Sequence, residues 1–311
     1  MPPLVLLLIG LAILTFGAEL LVRGASALAL RLGLTPLVIG LTVVAFGTSA
    51  PELVVSLQAA GRGAAEIAVG NVIGSNLCNL ALILGLCALI TPLTTDRSVI
   101  WREVPILIGI TIAGALVLVN GYLGIWEGVL LIAALFVYTT NTLVRARKDP
   151  NQSLGADAPK PMKLPLAIGY TVGGLALLLY GSDLFVGGAV ELAQALGWSE
   201  TLIGLTIVAI GTSLPELAIS LVAVKNGEND VAIGNVVGSS MFNLLGILGA
   251  TAVAAGGIAV SLSPVDLIML VVLTAALWPL VQTGHRIDRR EGAALLVAYL
   301  LYTGWLFTVR G

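Results

Sequence analysis

The stretch GLTVVAFGTSAPELVVSL, Gly40 to Leu57, sets a Gly-Thr-Ser-Ala-Pro-Glu interruption in the middle of an otherwise apolar helix. Pro51 has no N–H, so the carbonyl of Gly47, four residues back, loses its helical partner, and Gly47 lets the backbone bend. At membrane depth such a break is tolerated only where it is buried in protein or lines a cavity. Thr48, Ser49 and Glu52 then bring hydroxyl, carbonyl and carboxylate oxygens within about one and a half helical turns of one another. That is an oxygen set for a hard cation. The stretch recurs as GLTIVAIGTSLPELAISL from Gly204, and 204 − 40 = 164.

Composition identifies the solvent. The chain is 58% hydrophobic and 10% charged, with a mean hydropathy of +1.05, whereas soluble domains carry about 25% charge. It reads as an all-α polytopic membrane protein with ten apolar spans. They fall near 4–28, 35–59, 66–90, 103–119, 124–144, 165–195, 201–224, 230–256, 265–283 and 290–309. The first of them lacks a basic n-region and a clean cleavage site, so it reads as a span rather than a signal peptide.

With ten spans the loops alternate sides, and the positive charges divide unevenly between them. The side opposite the N-terminus receives Arg31, Arg97, Arg102, Arg145, Arg147, Lys148, Lys160, Lys163, Lys225, Arg286, Arg289 and Arg290, twelve of the fifteen Lys and Arg. Arg62 and Arg310 fall on the other side, and Arg23 lies inside the first span. By the positive-inside rule both termini face outward from the cell membrane and the twelve face the cytoplasm. The segment 148–164, polar and without apolar periodicity, reads as a cytoplasmic linker between a first five-helix half, 1–147, and a second, 165–311. Trp101, Tyr122, Trp126, Trp198 and Trp305 fall near span ends, where interfacial aromatics belong.

The offset of 164 holds without a gap far beyond the opening stretch. It carries Gly17, Glu19, Gly24, Ala45, Thr48, Ser49, Glu52, Asn71, Ser75 and Asn79 onto Gly181, Asp183, Gly188, Ala209, Thr212, Ser213, Glu216, Asn235, Ser239 and Asn243. Each half holds five spans, and an odd number makes the second copy enter from the opposite side, so the repeats are inverted about an axis in the membrane plane. Paired broken helices in such a frame point to a midplane ion site with alternating access. The third span of each half carries a second motif, GNVIGSNLCNLALILG from Gly70 and GNVVGSSMFNLLGILG from Gly234. Its glycines, four apart, fit either close helix packing or a backbone break. Ser75 with Asn79, and Ser239 with Asn243, line one helix face, and a polar stripe in lipid must face protein or water.

The paired GTSxPEL and GNxxGS-x-x-x-N motifs resemble the α-repeats of the cation/calcium exchanger superfamily, most closely its prokaryotic sodium/calcium exchanger branch, over essentially the whole chain. The resemblance implies an antiporter that exchanges calcium for sodium, with calcium held by the carboxylates of Glu52 and Glu216 and by carbonyls at Thr48 and Thr212. It implies sodium sites at Ala45, Ser49, Ser75, Ala209, Ser213 and Ser239, with Asn79 and Asn243 in support, and a first and sixth span that slide across the other eight. One position departs from the pattern: Asn243 stands where sodium/calcium members typically carry Asp. The departure leaves open a proton-coupled exchanger in which two glutamates do most of the work.

The chemistry of the residues agrees with calcium, which takes six to eight oxygens in irregular geometry. Softer metals favour His or Cys, yet the one histidine, His285, falls in a loop, and Cys78 and Cys87, nine apart on a helix, point to opposite faces as apolar packing. Two carboxylates buried together need cations or protons to balance them, so an empty carrier is reluctant to switch and a loaded one is not. Glu19 and Arg23, four apart, read as a local ion pair, Asp183 has no evident partner, and Asp266 and Glu127 fall near span ends as interfacial charges. An intramembrane hydrolase using Ser49 or Ser213 lacks a His or Lys base in any span, so the chain does not read as an enzyme. Inverted repeats with broken helices favour a carrier over a channel. The partners expected are calcium, sodium or protons and the lipid bilayer, with no cofactor and no nucleic acid.

Overall fold

The computed structural model describes residues 2–63, 65–94, 97–148, 162–196, 209–260 and 263–310. Among them, helix α1 spans Pro3–Leu32 and ends at Gly33, whose φ of 63° closes the helix in the left-handed region. Helix α2, Pro36–Thr48, opens on a Thr35 cap whose hydroxyl accepts from Val38 N at 3.3 Å, and α3 is Ala50–Gly61. Helices α4 (Ile67–Ile90), α5 (Val99–Val119) and α6 (Ile125–Lys148) follow. In the second part of the chain come α7 (Leu164–Ala195), α8 (Ala209–Thr212), α9 (Leu214–Lys225), α10 (Asn229–Ala254), α11 (Pro264–Gln282) and α12 (Arg289–Arg310). Eight of these are long and apolar enough to cross a membrane, nine with α2 and α3 counted as one bent span. The span expected near 201–224 is described only from Ala209 onward, and Trp198, Gly204 and most of the linker 148–164 lie outside the described residues.

α4 and α10 are the most buried spans and α6 and α12 the least, so the two helices carrying the GNxxGS motifs form the centre. Both run unbroken through that motif. At Gly234 and Gly238 the motif serves close packing: an added Cβ would lie 2.6 Å from the carbonyl of Leu37 in one case and of Leu41 in the other. The irregularity falls one turn later, in a π-helical turn at Cys78–Ile83 and its counterpart at Phe242–Ile247, which contain Asn79 and Asn243. Such turns are rare and concentrate at functional sites.

α1 and α7 lie antiparallel along their lengths. Gly10, Gly17 and Gly24 meet the backbone around Gly181, Gly174 and Ala167 respectively, and a Cβ on Gly17 would stand 2.5 Å from Leu178 N. Two short ladders tie the loops at the ends of the molecule: β1 (Leu93–Thr94) pairs with β4 (Arg286–Ile287), and β2 (Tyr122–Leu123) pairs with β3 (Ile258–Ala259), both antiparallel.

Asp266 departs from the interfacial position expected for it. It is 3% exposed and accepts a hydrogen bond from Tyr302 Oη at 2.8 Å, because this side chain of α12 reaches the first turn of α11. Tyr138, 164 residues earlier, bonds in the same way to the buried Glu103, at 2.7 Å. Glu127 is exposed in the first turn of α6, as expected. Cys78 and Cys87 are buried free thiols.

Candidate ion-binding site

The two broken helices meet at their breaks. The axis bends by 43° between α2 and α3, with Ser49 at φ −83° and ψ 11° between them, and Ser213 takes nearly the same conformation, φ −88° and ψ 7°, ahead of α9. Pro51 and Pro215 stand in the first turns that follow, where a missing N–H is tolerated. The carbonyl of Gly211 that Pro215 leaves without a helical partner accepts instead from Ser182 Oγ of α7, at 3.2 Å.

Glu52 and Glu216 open α3 and α9, each 1% exposed, where the helix N-terminus favours negative charge. They are joined crosswise. Ser49 Oγ donates to Glu216 Oε1 at 2.8 Å and Ser213 Oγ donates to Glu52 Oε1 at 3.1 Å, so each break's serine holds the carboxylate of the other.

A second crossed set braces the backbone. Asn71 Nδ2 donates to the Glu52 carbonyl at 3.2 Å and to Ser56 Oγ at 3.0 Å, while Asn235 Nδ2 donates to the Glu216 carbonyl at 3.3 Å and to Ser220 Oγ at 3.1 Å. Each amide oxygen accepts from the threonine of the other repeat, Thr48 Oγ1 to Asn235 at 3.1 Å and Thr212 Oγ1 to Asn71 at 3.4 Å. With their hydroxyls engaged, the threonines have carbonyl oxygens to offer a cation. Asn71, Asn235, Ser56 and Ser220 were not among the expected site residues. The offset of 164 relates Ser56 to Ser220 as it relates Asn71 to Asn235, and that regularity was the signal available for them.

Of the remaining expected residues, Ser239 reaches a carboxylate directly. Ser239 Oγ lies 3.4 Å from both the Ala45 carbonyl and Glu216 Oε1, and Ser75 lies beside Glu52. Asn79 and Asn243 are 1% and 0% exposed in their π-helical turns. Ala45 is buried at the end of the π-helical turn of α2, and Ala209 is the first residue of α8. Several buried polar atoms have no partner among the described residues: Glu52 Oε2, Glu216 Oε2, Ser75 Oγ and both side-chain amide atoms of Asn79 and Asn243. An unmade hydrogen bond costs about 1–3 kcal/mol per buried group. Among the described residues no three of His, Cys, Asp and Glu gather to hold a metal.

The profile of the family described as "Sodium/calcium exchanger protein" matches residues 2–144 and again 166–308. The chain belongs to the sodium/calcium exchanger family. Its two matches start 166 − 2 = 164 residues apart, the offset already found in the motifs. CaxA of Alkalimonas amylolytica, provisionally named an antiporter, is 40% identical over 313 residues, covering 98% of each chain. The sodium/calcium exchanger MaX1 of Methanosarcina acetivorans is 29% identical over 348 residues, again covering 98% of each. Among solved structures, the sodium-calcium exchanger NCX_Mj soaked with zero Na+ and Ca2+ superposes with a TM-score of 0.87 at 31% identity, over 98% of this chain and 100% of that one. The exchanger is thus a multi-pass membrane protein of a cation/calcium antiporter family, a family of transporters.

Proposed function

We propose that this exchanger moves calcium against sodium by alternating access, with Glu52 and Glu216 as the calcium-binding carboxylates. The observation that carries the reading is the crossed pair Ser49→Glu216 and Ser213→Glu52, which leaves one oxygen of each buried carboxylate without a partner among the described residues. Two carboxylates and the carbonyls at Thr48 and Thr212 match the charge and the oxygen preference of calcium. Ala45, Ser49, Ser75, Ala209, Ser213 and Ser239, with Asn79 and Asn243, supply the neutral oxygens that monovalent ions would use. Glu52→Gln and Glu216→Gln keep the shape but remove half the compensating charge. Each is expected to abolish sodium-driven calcium uptake in reconstituted vesicles while the protein still inserts. Wild-type flux in either variant would remove the assignment.

A proton-coupled reading has one observation in its favour: Asn243, wholly buried in its π-helical turn, brings no third carboxylate. Calcium uptake driven by a pH gradient in sodium-free vesicles would select that reading over the first.

The architecture we propose is ten transmembrane helices in two inverted halves, 1–147 and 165–311, joined by a cytoplasmic linker at 148–164. The antiparallel run of α1 and α7, which are repeat equivalents, supports inversion. So do the end ladders, since the loop holding β1 pairs with the loop holding β4 and the loop holding β2 with the loop holding β3, as copies of opposite orientation require. The chain is proposed to sit in the cell membrane with both termini outside.

A further inference from the structure

In a molecule built from two copies, contacts made by one copy and not by the other mark what changes between its two states. α1 packs along α9, and α7 has no comparable packing along α3, the repeat equivalent of α9. The burial of the two faces follows. On α9, Ala218 and Val222 are 7% and 9% exposed; on α3 their counterparts Val54, at 51%, and Gln58 are open. The same helix stripe ends, on the covered side, at Asn226, whose Nδ2 donates to Glu19 Oε2 of α1 at 3.1 Å. Subtracting 164 from Asn226 gives Arg62, and adding 164 to Glu19 gives Asp183 on α7.

The uncovered counterpart of that contact therefore consists of opposite charges. Arg62 and Asp183 are both exposed, and neither of the ion pairs found among the described residues joins them. Glu19 is also held within its own helix by Arg23, with Glu19 Oε1 2.7 Å from both Arg23 Nε and Arg23 Nη2; at the corresponding position Asp183 has Gly187. Asp183 is thus free to take a partner from another helix. The glycines at 10, 17 and 24, and at 174, 181 and 188, bring the backbones of α1 and α7 so close that the two helices shift as one body. A shift of that body that draws α1 off α9 carries α7 toward α3.

We infer that in the opposite-facing state α7 covers the Val54, Gln58, Arg62 stripe of α3 and that Asp183 and Arg62 form the ion pair that latches it, as Glu19 leaves Asn226. The inference rests on the antiport reading for its cycle, but the contact it names can be tested apart from transport. An exposed ion pair is modest, so each of Arg62→Asp and Asp183→Arg is expected to slow calcium exchange in vesicles about fivefold, with calcium binding in detergent unchanged. Arg62→Asp combined with Asp183→Arg restores the pair in reverse and is expected to return the rate to within about twofold of the parent. A combined variant no faster than the single ones, or single variants at the parental rate, would overturn the latch.

The second measurement uses Arg62→Cys with Asp183→Cys and a short thiol cross-linker, the native cysteines being buried. Cross-linking whose rate changes with the calcium or sodium present is expected, and the linked protein should not transport. No cross-link under any ion condition would overturn the proposal. Absence of counter-ion-dependent flux in the parent protein would instead refute the antiport reading, and the cross-link would then decide the latch by itself.

Discussion

At the scale of the residue, the site proposed for the ions is a set of crossed hydrogen bonds around two buried carboxyl groups. Ser49 and Ser213 each bind the carboxylate of the other repeat, and Thr48 and Thr212 each bind the other repeat's asparagine. Neither half can therefore assemble a complete site alone, and a bound cation draws on both. The charge at this site is set by carboxylate number. With Glu52 and Glu216 alone, one calcium or two monovalent cations bring it near neutrality, whereas a third buried carboxylate would call for one more positive charge. Asn243 supplies an oxygen without charge. Asn243→Asp is expected to increase the charge moved per calcium, read as current against calcium flux in voltage-clamped vesicles. Equal charge per calcium in parent and variant would mean that carboxylate count does not set stoichiometry.

At the scale of the element, three devices act on otherwise ordinary apolar helices. Prolines after Ser49 and Ser213 end one helical run and begin the next with its N-terminus at a glutamate. The π-helical turns at Cys78–Ile83 and Phe242–Ile247 sit where Asn79 and Asn243 are buried. Glycines seven apart bring α1 and α7 into backbone contact. The last of these is directly testable, because a Cβ on Gly17 would stand 2.5 Å from Leu178 N and 2.9 Å from the Gly174 carbonyl, atoms that cannot turn aside as a side chain would. Gly17→Val is expected to push the pair apart at a cost of about 1–3 kcal/mol. Thermal unfolding in detergent should show a lower midpoint and vesicles a slower exchange. Parental stability and rate together would show that the pair is not closely packed in the working protein.

At the scale of the whole molecule, the two halves interlock rather than sit side by side. Gly85 of α4 meets Gly292 of α12, and Gly249 of α10 meets Gly128 of α6, so α4 packs on α12 and α10 on α6. The ladders β1–β4 and β2–β3 repeat that exchange in the loops. The inversion proposed above, together with the twelve-to-two division of loop charge, predicts the topology. Tags at either terminus are expected to be reached from outside intact cells, and a tag at Asn151 only after the membrane is opened. Cleavage of the 148–164 segment from outside in sealed cells would overturn both the orientation and the odd number of spans per half.

Much of this was legible in the chain itself, for reasons of local chemistry. An apolar run long enough to cross a bilayer must close its backbone hydrogen bonds within the helix, so its limits can be read from hydropathy. Thus α7 was expected at 165–195 and lies at Leu164–Ala195, and α11 was expected at 265–283 and lies at Pro264–Gln282. The break before Glu52 could be read from Pro51, because a missing N–H is a property of one residue. The repeat offset could be read because both copies retain the same residues at the same spacing. What joins the copies could not be read so. That Ser49 holds Glu216 rather than Glu52, that Asn71 and Asn235 brace the glutamate backbones, and that Asp266 is covered by Tyr302 are contacts across 167, 19 and 36 residues. Nothing local distinguishes such a side chain from a solvated or interfacial one. The unlike covering of α3 and α9 is further still from the sequence, since the residues correspond and only the position of α1 and α7 against the rest makes the halves differ.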